Sequence, residues 1–138
     1  LVAVEPYTYR AVIRRVVDGD TLAVAVDLGF GLWHYGMDGR GLHLRLLGCN
    51  ARELEQPGGR EAKRNLAELL VPYGGVLGGS ALTLHTVKDD KYGGRYDAAV
   101  QLDDGTDLVE LLVSQQWAAA WDGTGERPVP PWPRTVTT

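Results

Sequence analysis

Asp18-Gly19-Asp20-Thr21 stands in a tight turn between two β-branched runs. The stretch from Arg45 to Glu53, Arg-Leu-Leu-Gly-Cys-Asn-Ala-Arg-Glu, carries a buried-strand pattern out into a polar loop. Further on, Asp90-Lys91-Tyr92-Gly93-Gly94-Arg95-Tyr96 is a Gly-broken turn with a second arginine. Together the three segments collect oxygen donors of the kind a hard cation takes and a carboxylate free to act as a base. They add two guanidiniums whose planar forks match phosphate oxygens. That is an inventory for cutting a phosphodiester.

The elements that must hold these residues follow from hydrophobic periodicity. Residues 9–17 are β-branched and read as a strand, and residues 20–28 alternate as its hairpin partner across an Asp18-Gly19 turn. Residues 29–41, rich in Gly and aromatics, read as a long exposed loop, and 42–48 as a third strand. After Pro57-Gly58-Gly59, residues 60–73 place Ala62, Leu66, Leu69, Leu70 and Tyr73 at helical spacing, with Arg60, Lys63 and Arg64 opposite. Residues 81–87 and 96–102 read as strands four and five. Residues 107–120 read as a second helix, with Asp107 as N-cap, Glu110 three residues on, and Trp117 on the apolar side. From Asp122 the chain turns to Gly and Pro and cannot hold a helix. Three strands, a helix, two strands and a helix is the order of an α+β OB-fold, a five-stranded Greek-key β-barrel with two flanking helices. The expected division is a domain over residues 1–121 and a Pro/Gly-rich tail over 122–138.

Composition sets the outer limits. The chain has 138 residues, enough for one core, with 44% hydrophobic and 23% charged residues, an ordinary globular balance. No apolar run is long enough to span a bilayer, so no membrane contact is expected. The sequence starts at Leu1 rather than Met. A leader could have been lost with the missing start, which leaves cytoplasmic and secreted locations both open. The single cysteine, Cys49, excludes an intramolecular disulfide and reads as a small buried hydrophobe. His34, His43 and His85 lack zinc spacing. A net charge of −4 argues mildly against nucleic acid, but the first half of the chain is charge-balanced and holds most of the arginines.

In order and spacing these segments, followed by Asp104-Gly105-Thr106 and the helix start at Val109-Glu110-Leu111-Leu112-Val113, resemble the thermonuclease family, the staphylococcal-nuclease-like domains. The resemblance covers roughly residues 9 to 121. It implies the OB-fold and a calcium-dependent nuclease that leaves 3′-phosphate ends on DNA, RNA or both, with a single strand as the preferred substrate and a monomer as the working form. It implies Asp20, Asn50 and the backbone carbonyl of Ala51 as metal ligands, with Asp18 either orienting metal-bound water or only shaping the turn. Glu53 is implied as base or orienter of the attacking water, and Glu55 is its rival if the register slips. Arg45 and Arg95 are implied at the scissile phosphate, and Lys91 and Tyr92 at a terminal phosphate, Tyr92 being equally readable as barrel-edge packing. Trp121 is a base-stacking candidate on its own chemistry, as are Trp33 and Tyr35.

Three positions depart from the family pattern. Asn50 stands where many members carry a second carboxylate, which implies weaker calcium binding without substrate. Arg52 replaces a proline, an expected loosening of the Glu53 loop. Two glycines rather than one precede Arg95, and either bulge it in place or displace it. A non-catalytic OB module that binds nucleic acid or protein is the competing expectation.

Overall fold

The computed structural model describes residues 7–73, 81–89 and 95–130, with backbone only for Ala81, for 87–89 and for Arg95. Among these residues eight strands and two helices follow one another: β1 (Thr8–Asp18), β2 (Thr21–Gly29), β3 (Leu32–His34), β4 (Leu42–Leu46), β5 (Cys49–Ala51), α1 (Gly59–Leu69), a short 3-10 turn (Val71–Tyr73), β6 (Ala81–Asp89), β7 (Arg95–Gln101), α2 (Leu108–Ser114) and β8 (Ala118–Ala120).

Strand β1 pairs with β2 on one side and β6 on the other, so the sheet β1-β6-β7-β4-β2 closes on itself. All its pairings are antiparallel except β4 with β7. The result is a closed five-stranded barrel with two helices, an OB-like α+β fold. Strand β1 is long enough to serve two partners because extra residues at Arg14 and Val17 break its register with β2. Such bulges bend a strand and strengthen its twist. Strand β3 extends β2 as a short edge inside what reads from sequence as plain loop.

The barrel is filled by alternate residues. Leu22 and Val24 of β2, Leu44 and Leu46 of β4, Leu82 and Leu84 of β6, and Ala98 and Val100 of β7 are all within the core. Helix α1 presents Ala62 and Leu66 to this core, with Leu70 just beyond its end. It can lie close because Gly19, at the β1–β2 turn, has no side chain. A Cβ there would sit 2.9 Å from the Cβ atoms of both Ala51 and Ala62. Thr21 pairs with Asp18, so the turn itself is Gly19-Asp20, one residue later than the sequence suggests.

The second helix is shorter than its periodicity implies, ending at Ser114 rather than near Ala120. The N-terminus is as expected: Asp107 accepts a hydrogen bond from the Glu110 N–H at 3.0 Å. At the other end Gln116 adopts φ +66°, and the Gln116 and Trp117 N–H groups return to the Val113 and Leu112 carbonyls. This is a Schellman closure, normally announced by glycine. Glutamine in that place hid the stop signal. The chain then re-enters as β8 and pairs with β5 as a separate two-stranded sheet. Among the described residues no helix is long and apolar enough to cross a membrane.

Two substitutions test this packing. Gly19→Ala should lower stability by about 1–3 kcal/mol through overpacking between β5 and α1. Gln116→Gly should raise it by about 1 kcal/mol by removing the Cβ that the left-handed backbone disfavours. Chemical denaturation of each variant measures both.

Candidate functional site

The Gly19-Asp20 turn projects Asp20 into the space between the barrel and β5, where the residue is 5% exposed. Its Oδ2 accepts from Arg45 Nη1 and from the backbone N–H of Ala51, each at 3.0 Å. Its Oδ1 accepts from the Thr21 hydroxyl at 3.1 Å. Its own N–H donates to Asp18 Oδ1 at 3.1 Å. One carboxylate therefore joins the β1–β2 turn, β4 and β5. Burying it is tolerable because a full cation and two neutral donors meet it.

Arg45 lies opposite Thr21 in β4 and alternates with core leucines, which turns its side chain to the barrel exterior. The side chain is only 14% exposed. Besides Asp20 it donates from Nη2 to the Cys49 carbonyl at 3.3 Å, and its guanidinium carbon lies 6.0 Å from the centre of the Trp121 ring. Among the described residues Asp18 has no ion pair. Burial first, and then the adjacent Asp20 carboxylate, push its carboxyl up to about 6 from an ordinary 3.8. Cys49 is buried as expected; burial and the Asp20 charge push its thiol up to about 12, which makes it inert as a nucleophile at neutral pH.

Beyond Ala51 the chain enters the loop to α1, and here the expectation of a loosened segment is not what the structure shows. Arg52 is 7% exposed and donates from Nη2 to the Pro130 carbonyl at 3.0 Å. The Glu53 N–H donates to Gln56 Oε1 at 2.8 Å, and the Gln56 N–H returns to the Glu53 carbonyl at 2.9 Å. Gly59, the first residue of α1, packs directly against that carbonyl; any side chain would collide with it. Anchoring thus replaces the stiffness of a proline. The Glu53 carboxylate is half exposed and pairs through Oε1 with Arg127 Nη1 at 3.1 Å.

The residues after β8 form a strap across this loop. The Trp121 N–H donates to the Gly48 carbonyl at 2.9 Å, and its Nε1–H to the Thr124 carbonyl at 2.8 Å. Asp122 Oδ1 accepts from both the N–H and hydroxyl of Thr124, reversing the chain. Residues 127–130 then run back over β5. Asn50, 7% exposed, donates from Nδ2 to the Pro128 carbonyl at 3.0 Å. Arg127 lies 5.4 Å from the Trp121 ring centre, so two guanidiniums flank the indole expected to stack on bases. A cleft of about 80 Å³ remains between strap and loop, lined by Asn50, Glu53, Gln56, Arg127 and prolines. A larger cavity, about 300 Å³ and mostly apolar, opens elsewhere, between Tyr9, Leu44, Leu84 and Tyr96.

The structure therefore brings together Asp18, Asp20, Arg45 and Ala51, the last through its N–H, and places Asn50 and Glu53 together in the cleft against the strap. The backbone of Arg95 pairs with His43 across β4 and β7, while its side chain, Lys91 and Tyr92 lie outside the described residues. Gln56 and Arg127 escaped the sequence reading. Their only signal was an isolated arginine in a Pro/Gly stretch and a polar residue three positions after Glu53.

Among the described residues no three of His, Cys, Asp or Glu converge as a metal group. The donors present are all oxygens, and the two neighbouring carboxylates carry a charge that a cation would relieve. Calcium accepts such a set when amide, carbonyl, water and phosphate oxygens complete it, so the residues fit the ion in kind. No protein-family model matches the chain, and a search of curated proteins finds no match.

Asp18 gives a pH test. Between about 4 and 6 the folded state keeps the Asp18 proton that the unfolded state has already released, so stability falls as pH rises through that window and the loss is complete above it. Asp18→Asn, which retains an acceptor for the Asp20 N–H, should raise the melting temperature at pH 7 and flatten the slope between pH 4 and 6. Thermal melts in chelator-containing buffer check both.

Proposed function

We propose that this chain is a calcium-dependent nuclease that hydrolyses phosphodiester bonds of DNA, RNA or both. The observation that carries the reading is the buried Asp20–Arg45 pair, held by the Ala51 N–H two residues before a half-exposed Glu53. We read the closed barrel as the Greek-key OB-fold of the staphylococcal-nuclease-like domains, whose motifs the sequence resembles. Asp20, Asn50 and the Ala51 carbonyl would hold calcium, with Asp18 behind them; bound there, the ion would polarise a phosphoryl oxygen.

The chain's own groups supply the rest. Arg45 is fixed in direction by Asp20 and the Cys49 carbonyl. A guanidinium held in this way can meet charge that grows on phosphoryl oxygens without reorganising at the moment of reaction. Glu53 reaches solvent, where a carboxylate can orient a water or take its proton. Arg95 is assigned the second guanidinium role by its place in the turn motif, and Lys91 and Tyr92 the terminal phosphate. The products would carry 3′-phosphate ends. The closeness of the Asp20–Arg45 pair and the neutral Asn50 favour a second reading, a binding module that retains the fold without cutting.

Single-stranded DNA incubated with the purified protein should shorten with calcium and remain whole with chelator. Glu53→Gln should lower the rate by roughly a hundredfold or more, while its melting temperature stays near that of the wild type because the side chain is half exposed. Glu55→Gln should do little. A protein that retards the DNA on a gel at every calcium concentration yet never shortens it is the binding module. Arg45→Ala is the poorer test, since it leaves Asp20 buried without its cation, a change that typically costs about 3–5 kcal/mol.

A further inference from the structure

We infer that Arg127 is the positioning residue for Glu53, which makes the strap after β8 a working part of the site rather than a tail. The inference rests on the nuclease reading of that site.

Glu53 leaves the barrel on a loop whose backbone is held twice, by Gln56 at its N–H and by Gly59 against its carbonyl. What remains free is the rotation of the side chain, and a half-exposed glutamate has many rotamers. Arg127 removes that freedom by gripping Oε1 at 3.1 Å. Arg127 is itself held in place: its guanidinium lies over the Trp121 ring at 5.4 Å, and Trp121 is tied at both its nitrogens. Such stacking suits a planar guanidinium better than an ammonium. The strap in turn is pinned at Pro128 and Pro130 by Asn50 and Arg52. A chain of fixed contacts thus runs from the barrel, through the indole, to one oxygen of the carboxylate. The other oxygen, Oε2, has no hydrogen-bond partner among the described residues and is left to serve water.

Blocking is the opposite reading of the same contact, and exposure decides against it. Both partners keep about half of their side-chain surface in solvent, 47% for Arg127 and 50% for Glu53. The pair stands at the rim of the cleft and does not fill it. An exposed pair of this kind adds little to stability, so its worth lies in orientation. A small misplacement of a reacting group is enough to cost rate heavily.

The test uses the full chain with a fluorescent single-stranded oligonucleotide and calcium. Arg127→Ala should lower kcat roughly tenfold or more, leave KM within about twofold, and hardly move the melting temperature. Arg127→Lys should restore only part of the rate, because it keeps the charge and loses the stacked plane. In the Glu53→Gln background, Arg127→Ala should have no further effect, since a residue that acts through another is silent once its partner is gone. The positioning role is overturned if Arg127→Ala raises kcat, if its main effect is on KM, or if the two substitutions add. A wild-type protein that binds the oligonucleotide without cutting it removes the nuclease reading itself, and the inference with it; active wild type with unchanged Arg127→Ala removes the inference alone.

Discussion

The Asp20 carboxylate is the constraint on which the rest of the site depends. Placed in a two-residue turn and almost fully buried, it must find donors, and it finds them on three separate pieces of chain: Arg45 from β4, the Ala51 N–H from β5 and the Thr21 hydroxyl beside it. Each of those bonds fixes an element relative to the barrel. Gly19 allows the approach by leaving room for Ala51 and Ala62. Asp18 is held at the edge of this arrangement, its carboxyl pushed up first by burial and then by its neighbour's charge. A group so fully committed orders the surrounding polar atoms, and in the proposed reaction that order is what lets Arg45 act without rearranging.

A second layer is built on the first. Because Asp20 holds Ala51, β5 is available as a template for β8, and β8 delivers Trp121 to the Arg45 face. From there the Gly- and Pro-rich residues fold back and exchange hydrogen bonds with Asn50 and Arg52. Two of the three departures from the pattern that the sequence resembles, Asn50 and Arg52, are thus engaged by the strap. Where a proline would stiffen the loop covalently, a buried arginine does so by reaching to a carbonyl some way along the chain.

Much of the architecture was legible from periodicity. Strand β4 alternates cleanly, α1 places Ala62 and Leu66 on one face, and Asp107 caps α2. The errors share a physical origin. Gln116 takes a left-handed conformation that usually asks for glycine, so the end of α2 and the existence of β8 were hidden. The turn register shifted by one because Gly19 is needed for close approach and not for a positive φ. At the site, Asp20 and Arg45 could be singled out from motif spacing, and the structure shows that they pair with each other. Arg127 could not be found that way. Its partnership with Glu53 spans most of the chain and depends on a reversal set by Asp122 and Thr124, short-range signals that name no distant partner.

Cys49 has a use that its inertness conceals. Its thiol sits in β5 opposite Ala120 of β8, sealed from solvent at 2% exposure. An alkylating or disulfide-exchanging reagent can reach it only through a local opening of the structure around β5. The rate at which the single cysteine becomes labelled is therefore a clock for openings in that part of the fold, read without introducing a new residue. Since β8 and the start of the strap pack beside it, the clock runs where the candidate site is assembled.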